Sequence, residues 1–238
     1  MNFKEARFQN CFEGMETGCA ADHLTTLHGG PMRYVEDHRR QTHDRIVENA
    51  SYGLRQSGAE GLSVVELMKL AGLTHGGFYN HFDSRAALVS EAIAFAMDQT
   101  TERWKKLANG KTSREGLEAL IGDYLSPRHR DNPKHGCALP TLAVDVARSG
   151  PSEQQALTSK LERMIDALLE LLPGEPPGQA RQIATGAIAT MVGSIVLSRA
   201  VGAGKFSDRI LDAGRKTAGG RTRKPQRRTT KAARCEKS

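Results

Sequence analysis

Residues 63–88 read SVVELMKLAGLTHGGFYNHFDSRAAL, and this stretch predicts two short helices joined by a tight turn. Ser63 and Glu66 have the spacing of a capping box, in which a hydroxyl and a carboxylate satisfy the first free amides of a helix. Gly72 ends that helix, because the position after a helix commonly needs a positive φ. Thr74 can cap the second one. With a preceding helix to pack on, this arrangement is a helix-turn-helix.

A helix-turn-helix suits DNA because its second helix can lie in the major groove with N-terminal side chains at base edges. Gly76 and Gly77 are unusual within a helix, since each costs about 1 kcal/mol relative to Ala. A close approach of another backbone would explain them. The same pattern also fits a plain helical hairpin, so the local sequence leaves both interpretations open.

The rest of the chain predicts an all-α fold. Apolar residues recur at helical spacing from near Glu36, and no stretch alternates with the period of a strand. The helix capped by Thr74 should run to about Asn80. Pro- and Gly-containing breaks separate further helices at about 84–107, 113–125, 138–149, 152–172, 178–202 and 206–217. We predict four segments: an extension at 1–31, a three-helix DNA-binding domain at 32–88, a second helical domain at 89–214 and a tail at 215–238.

The net charge of +7 belongs to the tail rather than to the body of the chain. Residues 215–238 hold ten Lys and Arg against one Glu, whereas residues 1–214 hold 24 basic and 26 acidic side chains. The tail cannot bury enough apolar surface to fold alone, so we expect it to be disordered. It is either a solvated segment or a non-specific nucleic-acid binder whose affinity falls with salt.

Composition also limits where the protein acts. Residues 1–31 lack both periodicity and an apolar stretch, so we expect a disordered extension or a true start at Met32, without a secretory signal. Scattered cysteines favour a reducing cytoplasm. The apolar run 183–201 contains polar residues and is short for a membrane span, so it predicts a buried helix.

No motif predicts catalysis or metal binding. The chain contains no phosphate-binding glycine loop, zinc-protease motif or serine-hydrolase motif, so we predict no enzyme and no cofactor. Cys11, Cys19, His23 and His28 have ligand chemistry, but the two cysteines are spaced more widely than in the usual zinc site. We therefore predict no metal.

A longer set of residues carries a family resemblance. It consists of Ile46-x-x-x-Ala50, Gly58, Ser63-Val64, Leu67-Met68, Ala71-Gly72-Leu73-Thr74 and Gly76-Gly77-Phe78-Tyr79-x-His81-Phe82-x-Ser84-Arg85-x-x-Leu88. In order and spacing this set resembles the DNA-binding domain of the tetracycline-repressor (TetR/AcrR) family. The resemblance implies a homodimeric repressor that binds a double-stranded, palindromic DNA operator. It also implies that the second domain binds an effector and dimerises.

The resemblance further implies which residues contact DNA. Thr74 and His75 would reach base edges, and Phe78 would lie between the DNA and the core. The family commonly has Lys at the position of His75, so phosphate neutralisation here would shift to arginines outside this helix, including Arg45. Arg39 and Arg40 would form an arm or simply a solvated face. The expected DNA contacts are Arg39, Arg40, Ser63, Thr74, His75, Gly76, Phe78, Tyr79, His81 and Arg85.

Helix 178–202 is apolar over more than one face, so it must be covered on several sides. It is either the core helix of a monomer or, as the resemblance implies, part of a dimer interface. The expected interface residues are Ile183, Ala187, Ile188, Met191, Val192 and Ile195.

The second domain also holds candidate effector residues. Phe95, Trp104 and Tyr124 would line a small-molecule pocket or pack in the core. Cys137 follows a loop with several cations and precedes a helix, an environment that lowers the pKa of a thiol. Its placement resembles that of a cysteine in electrophile-sensing members of the family. The alternative is a small packed apolar residue.

Overall fold

The computed structural model describes residues 31–59, 63–70 and 75–220. Throughout those ranges the protein is all-α, as predicted, and contains no strand. The helices are α1 (Pro31–Ser57), α2 (Val64–Leu70), α3 (His75–Phe78), α4 (Arg85–Ala108), α5 (Ser113–Tyr124), α6 (Pro127–Asp131), α7 (Leu139–Ala147), α8 (Pro151–Leu169), α9 (Pro177–Ala200) and α10 (Lys205–Gly220). The predictions for residues 1–30, which include Cys11, Cys19, His23 and His28, lie outside the described residues.

The N-terminal helices share one buried core with the rest of the chain. Ile46, Ala50 and Leu54 form the predicted apolar face of α1 and are completely buried. Phe78 and Phe82 are buried in the same core. Helix α4 packs against both α1 and α8, so it joins the helix-turn-helix to the second domain.

Helix α3 is shorter than predicted. It ends at Phe78, and residues 79–81 form a turn in which the amides of His81 and Phe82 both donate to the carbonyl of Phe78, at 2.9 and 3.0 Å. The turn directs the exposed Tyr79 away from the core that holds Phe78.

The segment 126–136 was predicted as a loop but contains α6 and a 3₁₀ turn at Pro133–His135. The Ser126 hydroxyl caps α6 by accepting from the amide of His129 at 3.2 Å, and Pro127 occupies its first position. A helix this short shows no apolar periodicity, so its only sequence signal is the Ser-Pro cap.

Helix α10 continues to Gly220, which corrects the predicted start of the disordered tail at residue 215. Gly214 and Ala218 are buried, and the Arg215 guanidinium donates to the Leu125 carbonyl. At Gly214 a Cβ would lie 2.8 Å from the Cβ of Ser194, so glycine permits the close packing of α9 and α10. The predictions for residues 221–238 lie outside the described residues.

Helix α9 is a core helix of the chain. Ala187, Ile188, Met191 and Ile195 are buried within a single chain, which corrects their assignment to a dimer interface. Ile183 and Val192 are half-buried against the same core. Of the described helices, α9 is the one long and apolar enough to cross a membrane, and it packs against α7, α8 and α10.

Candidate functional site

The predicted capping box at the start of α2 is present. The Ser63 hydroxyl accepts from the amide of Glu66 at 3.2 Å, and the Glu66 carboxylate accepts from the amide of Ser63 at 2.8 Å. The same carboxylate accepts from the Ser63 hydroxyl at 2.8 Å, and the bonds it accepts from the Ser63 amide and hydroxyl lower the pKa of Glu66. Ser63 is exposed, so its hydroxyl is accessible at the entrance of the helix-turn-helix.

The segment expected to enter the major groove exposes Tyr79, whose side chain is 66% accessible and stands edge-on to Phe78. Thr74 lies outside the described residues. For His75 and Gly76 the structure describes the helical backbone alone. Tyr79 is thus the predicted DNA contact of this segment that the structure presents most clearly.

Phe78 is 1% exposed, which corrects its assignment as a DNA-contacting residue. Its ring centroid lies 5.7 Å from that of Phe82, and both rings belong to the core beneath α3. A side chain so enclosed cannot reach a base edge without opening the domain. Phe78 therefore supports the orientation of the turn instead.

His81 is half-buried beside α1. Burial, followed by the charges of His43 and Arg39, lowers the pKa of His81. Its Nδ1 atom is buried and has no hydrogen-bond partner among the described residues. His81 is therefore neutral at pH 7, and a bond to phosphate would have to come from one neutral N–H.

The expected arginines are exposed around this turn. Arg39 donates to the Asn80 carbonyl at 2.7 Å, which fixes α1 against the turn after α3. Arg40 pairs with Asp37 at 3.0 Å. Arg85 donates to the carbonyl of Ala59 in the connection after α1. The backbone contacts of Arg39 and Arg85 thus position the helix-turn-helix as well as placing positive charge beside it.

A cavity of about 690 Å³ lies in the second domain, against the last turns of α1. Its wall contains all three predicted pocket residues, Phe95, Trp104 and Tyr124, together with Cys137. The rings of Trp104 and Tyr124 meet edge-on, with centroids 6.0 Å apart. The structure therefore brings the predicted pocket and the predicted sensor thiol to one place.

The Cys137 thiol does not have the lowered pKa that its position in the sequence suggested. It is 3% exposed, and burial raises its pKa despite the opposing effects of the nearby Tyr124, Leu139 and Thr100. The Tyr124 hydroxyl is buried and has no hydrogen-bond partner among the described residues. Burial, and then the nearby Cys137 thiol, raise the pKa of Tyr124. Cys137 and Tyr124 are therefore both neutral at pH 7.

His129 holds the loop before Cys137. Its Nδ1 donates to the Tyr124 carbonyl at 2.7 Å, and its Nε2 accepts from the amide of Cys137 at 3.0 Å. These partners require the neutral imidazole with the proton on Nδ1. Burial lowers the pKa of His129 to about 4. Gly136 is required beside this ring, because a Cβ there would overlap it.

Sequence analysis missed the residue that joins the cavity to α1. Arg55 lies on the last turns of α1, is 1% exposed and lines the cavity. It donates to the carbonyl of Gly136 at 3.0 Å, across 81 residues of sequence. On a helix with many charged residues, Arg55 resembled any solvated arginine. Its one sequence signal was its position next to the buried Leu54.

Helix α7 makes two further contacts with the connection after α1. Thr141 donates to the Arg55 carbonyl at 2.9 Å. Asp145 accepts from the amide of Ala59 at 2.7 Å. Because α7 begins two residues after Cys137, the wall of the cavity and the exit of α1 are joined by one short, rigid helix.

Comparisons with known proteins agree with this geometry. Residues 46–92 match the family model described as bacterial regulatory proteins, tetR family. An uncharacterized HTH-type transcriptional regulator of Mycobacterium tuberculosis is 24% identical over 164 residues, covering 66% of this chain and 83% of that protein. The HTH-type transcriptional repressor KstR2 of Rhodococcus jostii is 29% identical over 77 residues, covering 32% of this chain and 38% of that protein.

A solved structure supports the fold of both domains. The crystal structure of E. coli NemR in its reduced form is similar with a TM-score of 0.65 at 18% identity, covering 75% of this chain and 95% of that chain. The family-model match contains the helix-turn-helix, and the structural match extends through the helical domain that holds the cavity.

Proposed function

The chain belongs to the TetR family of HTH-type, DNA-binding transcriptional regulators, and on that premise we propose that it is a homodimeric repressor released from a palindromic operator by an effector. One observation carries the proposal: the cavity in the second domain is lined in part by α1, the first helix of the DNA-binding domain. Tyr52 and Arg55 are the α1 residues in its wall. A molecule in the cavity therefore contacts both domains at once.

The contacts around α7 supply the coupling. Displacing the loop at Gly136 would disturb its bond to Arg55, and displacing α7 would disturb the bonds of Thr141 and Asp145 to the end of α1. An effector can shift the equilibrium between two conformations only by binding one of them more tightly. Here the favoured conformation would hold the two recognition segments at a separation that no longer fits the operator.

The dimer surface is proposed on the exposed face of α9. Ala189, Gly193, Val196, Leu197 and Ala200 lie on one side of this helix, and Leu197 is 57% exposed. The small residues allow a second helix to approach closely, while the aliphatic residues lose contact with water on pairing. A two-fold dimer formed here would match operator half-sites about one DNA turn apart.

The proposal is tested by fluorescence anisotropy of the full chain against DNA from upstream of its own gene, at about 150 mM salt. We expect this fragment to bind at least about a thousandfold more tightly than a shuffled fragment. The affinity of a DNA-binding protein for its specific site commonly exceeds its affinity for non-specific DNA by that factor or more. A genomic-fragment selection would locate a remote operator. If no fragment is preferred, the proposal is wrong.

A chain truncated after Gly220 separates this proposal from the alternative of non-specific binding through the basic tail. Truncation there keeps α10 complete. For a specific repressor the preference for the operator should survive truncation, with a smaller dependence on salt. If all DNA binding is lost, the tail is the binder and the helix-turn-helix is not.

Reversible binding of a small molecule fits the cavity better than thiol chemistry. A buried thiol with a raised pKa is mostly protonated at neutral pH, and the thiolate is the nucleophile. An electrophilic effector remains the second candidate because Cys137 lines the cavity.

A further inference from the structure

The guanidinium of Arg55 is a buried positive charge without a carboxylate partner among the described residues. It donates from Nε to the Ser51 carbonyl at 3.1 Å and from Nη1 to the Gly136 carbonyl at 3.0 Å. From Nη2 it donates to the Ser51 hydroxyl at 3.2 Å and to the Gln99 side-chain oxygen at 3.0 Å. All of these acceptors are neutral. Since a guanidinium has five N–H groups, one remains for a further acceptor.

The acidic residues in the cavity wall are already paired with other cations. Asp123 accepts from Arg103 at 2.7 Å, and Glu102 pairs with Lys105 at 3.1 Å. Asp98 pairs with two cations of α8, Lys160 and Arg163.

The nearest acid on α1 is engaged as well. The Glu48 carboxylate accepts from the Tyr52 hydroxyl at 2.6 Å. The Tyr52 ring also lines the cavity, and its centroid lies 5.1 Å from the Arg55 carbon Cζ. Burial lowers the pKa of Arg55, as expected for a charge removed from water with little compensation. Burying an ion without a counter-ion is costly, so a ligand that supplied one would gain more here than in water.

The aromatic wall specifies the remainder of the ligand. Phe95, Trp104 and Tyr124 offer apolar faces in the same cavity. We propose that the effector is a small organic acid, ionised at neutral pH, whose anionic group pairs with Arg55 and whose apolar body packs against these rings. This inference rests on the proposed function, because it names the chemical class of the effector.

Pairing with Arg55 would also explain how occupancy reaches the DNA-binding domain. The remaining N–H belongs to Nη1, the same nitrogen that donates to Gly136, so an anion there competes with the Gly136 carbonyl. That carbonyl accepts the one hydrogen bond that the described residues show between Arg55 and the loop before Cys137. Arg55 itself belongs to α1. If the anion replaced the Gly136 carbonyl as the acceptor, α1 would lose one of its hydrogen bonds to the second domain.

The chain provides its own reporter for the test, since Trp104 is the only tryptophan and lines the cavity. Phenylalkanoic acids of graded length and their primary amides form matched pairs that differ in charge and leave tryptophan excitation free. Titrated into the full-length protein, the best acid should bind at least about tenfold more tightly than its amide. If the amides bind as tightly as the acids, or if no acid binds, the inference is overturned.

Three variants assign the charge preference to Arg55. In Arg55→Met the acid-to-amide ratio should fall close to one, whereas in Arg55→Lys, which keeps the charge, part of it should remain. Arg114→Met is the matched control, because Arg114 is an exposed arginine of α5 and does not line the cavity. An unchanged ratio in Arg55→Met, or loss of the ratio in the control, would contradict the inference.

Circular dichroism checks that each variant folds. If Arg55→Met does not fold, the test rests on the wild type and Arg55→Lys. The inference then requires that the wild type binds the acid more tightly than the amide, and that Arg55→Lys keeps part of this preference. DNA is added in a separate step. Acids that bind through Arg55 but leave the operator complex intact would support the ligand class and refute the proposed regulation.

Discussion

The Asp145 carboxylate on α7 accepts a hydrogen bond of 2.7 Å from the backbone amide of Ala59, the second residue after α1. The intervening Gly58 has φ of +79°, and a Cβ there would lie 2.9 Å from the same carboxylate. This contact joins residues 86 positions apart and fixes the exit of α1 to helix α7 of the second domain.

Removing that contact should loosen the two domains from each other. We expect Asp145→Ala to lower the free energy of unfolding by about 1–2 kcal/mol, the cost of leaving the amide of Ala59 without a charged acceptor. Operator affinity should also fall, because the helix-turn-helix is less firmly oriented. Urea unfolding and DNA anisotropy measure the two effects.

The control for this variant is Asp166→Ala, which removes an exposed carboxylate that pairs with Arg181 at 3.3 Å. A surface pair contributes about 0–1 kcal/mol, so this change should affect neither quantity appreciably. Equal effects of the two substitutions would refute the special role of Asp145.

His129 should make stability fall in mild acid. Its pKa is about 4 in the folded protein against 6.5 for an ordinary histidine, so the unfolded chain takes up a proton first. The stabilisation from neutral His129 is complete above pH 6.5 and is lost as the pH falls towards 4. By pH 4.5 we expect a loss of about 2–3 kcal/mol in the free energy of unfolding.

Urea unfolding between pH 4.5 and 7.5 tests this expectation against His129→Gln. The variant should be less stable than the wild type at pH 7, because Gln cannot reproduce both hydrogen bonds of the ring. Its stability should nevertheless vary less with pH. Parallel pH profiles for the two proteins would contradict the assignment to His129.

Substitutions of the neighbouring residues Phe78 and Tyr79 should affect different properties, the first stability and the second DNA binding. Phe78→Ala removes a fully buried ring, so we expect a loss of about 3–5 kcal/mol in the free energy of unfolding. Tyr79→Ala changes an exposed side chain, so stability should change by less than about 0.5 kcal/mol. Operator affinity should fall about tenfold or more in Tyr79→Ala, through loss of a DNA contact. Normal operator binding by a folded Tyr79→Ala protein would exclude Tyr79 from the interface.

The exposed face of α9 should control assembly. Leu197→Asp places a charge at the centre of the proposed dimer surface, so the protein should sediment as a monomer and lose its preference for a two-fold operator. Val144→Asp is the matched control, since Val144 is a comparably exposed aliphatic residue on α7. If Leu197→Asp remains dimeric in analytical ultracentrifugation, the interface lies elsewhere.

Cys137 should react slowly until the solution is alkaline. In a chain with Cys137 as the only cysteine, labelling by N-ethylmaleimide at pH 6.5 should be slower than in the same chain unfolded in urea. The native rate should continue to rise above the ordinary thiol pKa of 9.0, because burial raises the pKa of Cys137. Rapid native labelling at pH 6.5, followed by mass spectrometry, would instead favour thiol sensing.

Much of the fold follows from local sequence. The helix boundaries after residue 84 follow Pro and Gly breaks and apolar spacing, and the Ser63–Glu66 capping box depends on residues three apart. Such signals act within one or two turns of a helix, so they are visible without any tertiary context. The aromatic residues of the cavity, Phe95, Trp104 and Tyr124, could also be predicted, because large aromatic side chains in a helical domain tend to be buried.

What only the tertiary structure decided is which of these residues meet. Arg55 was invisible as a site residue because its acceptors, Gly136 and Gln99, lie 81 and 44 positions away. Phe78 was expected among the DNA contacts, and Met191 either in a core helix or in a dimer interface. Both are buried in the core, because the sequence shows that a side chain is apolar but not which neighbour covers it. The raised pKa of Cys137 has the same origin: burial outweighs the local cations. Burial and long-range pairing depend on how the helices pack, and that packing is a property of the whole chain.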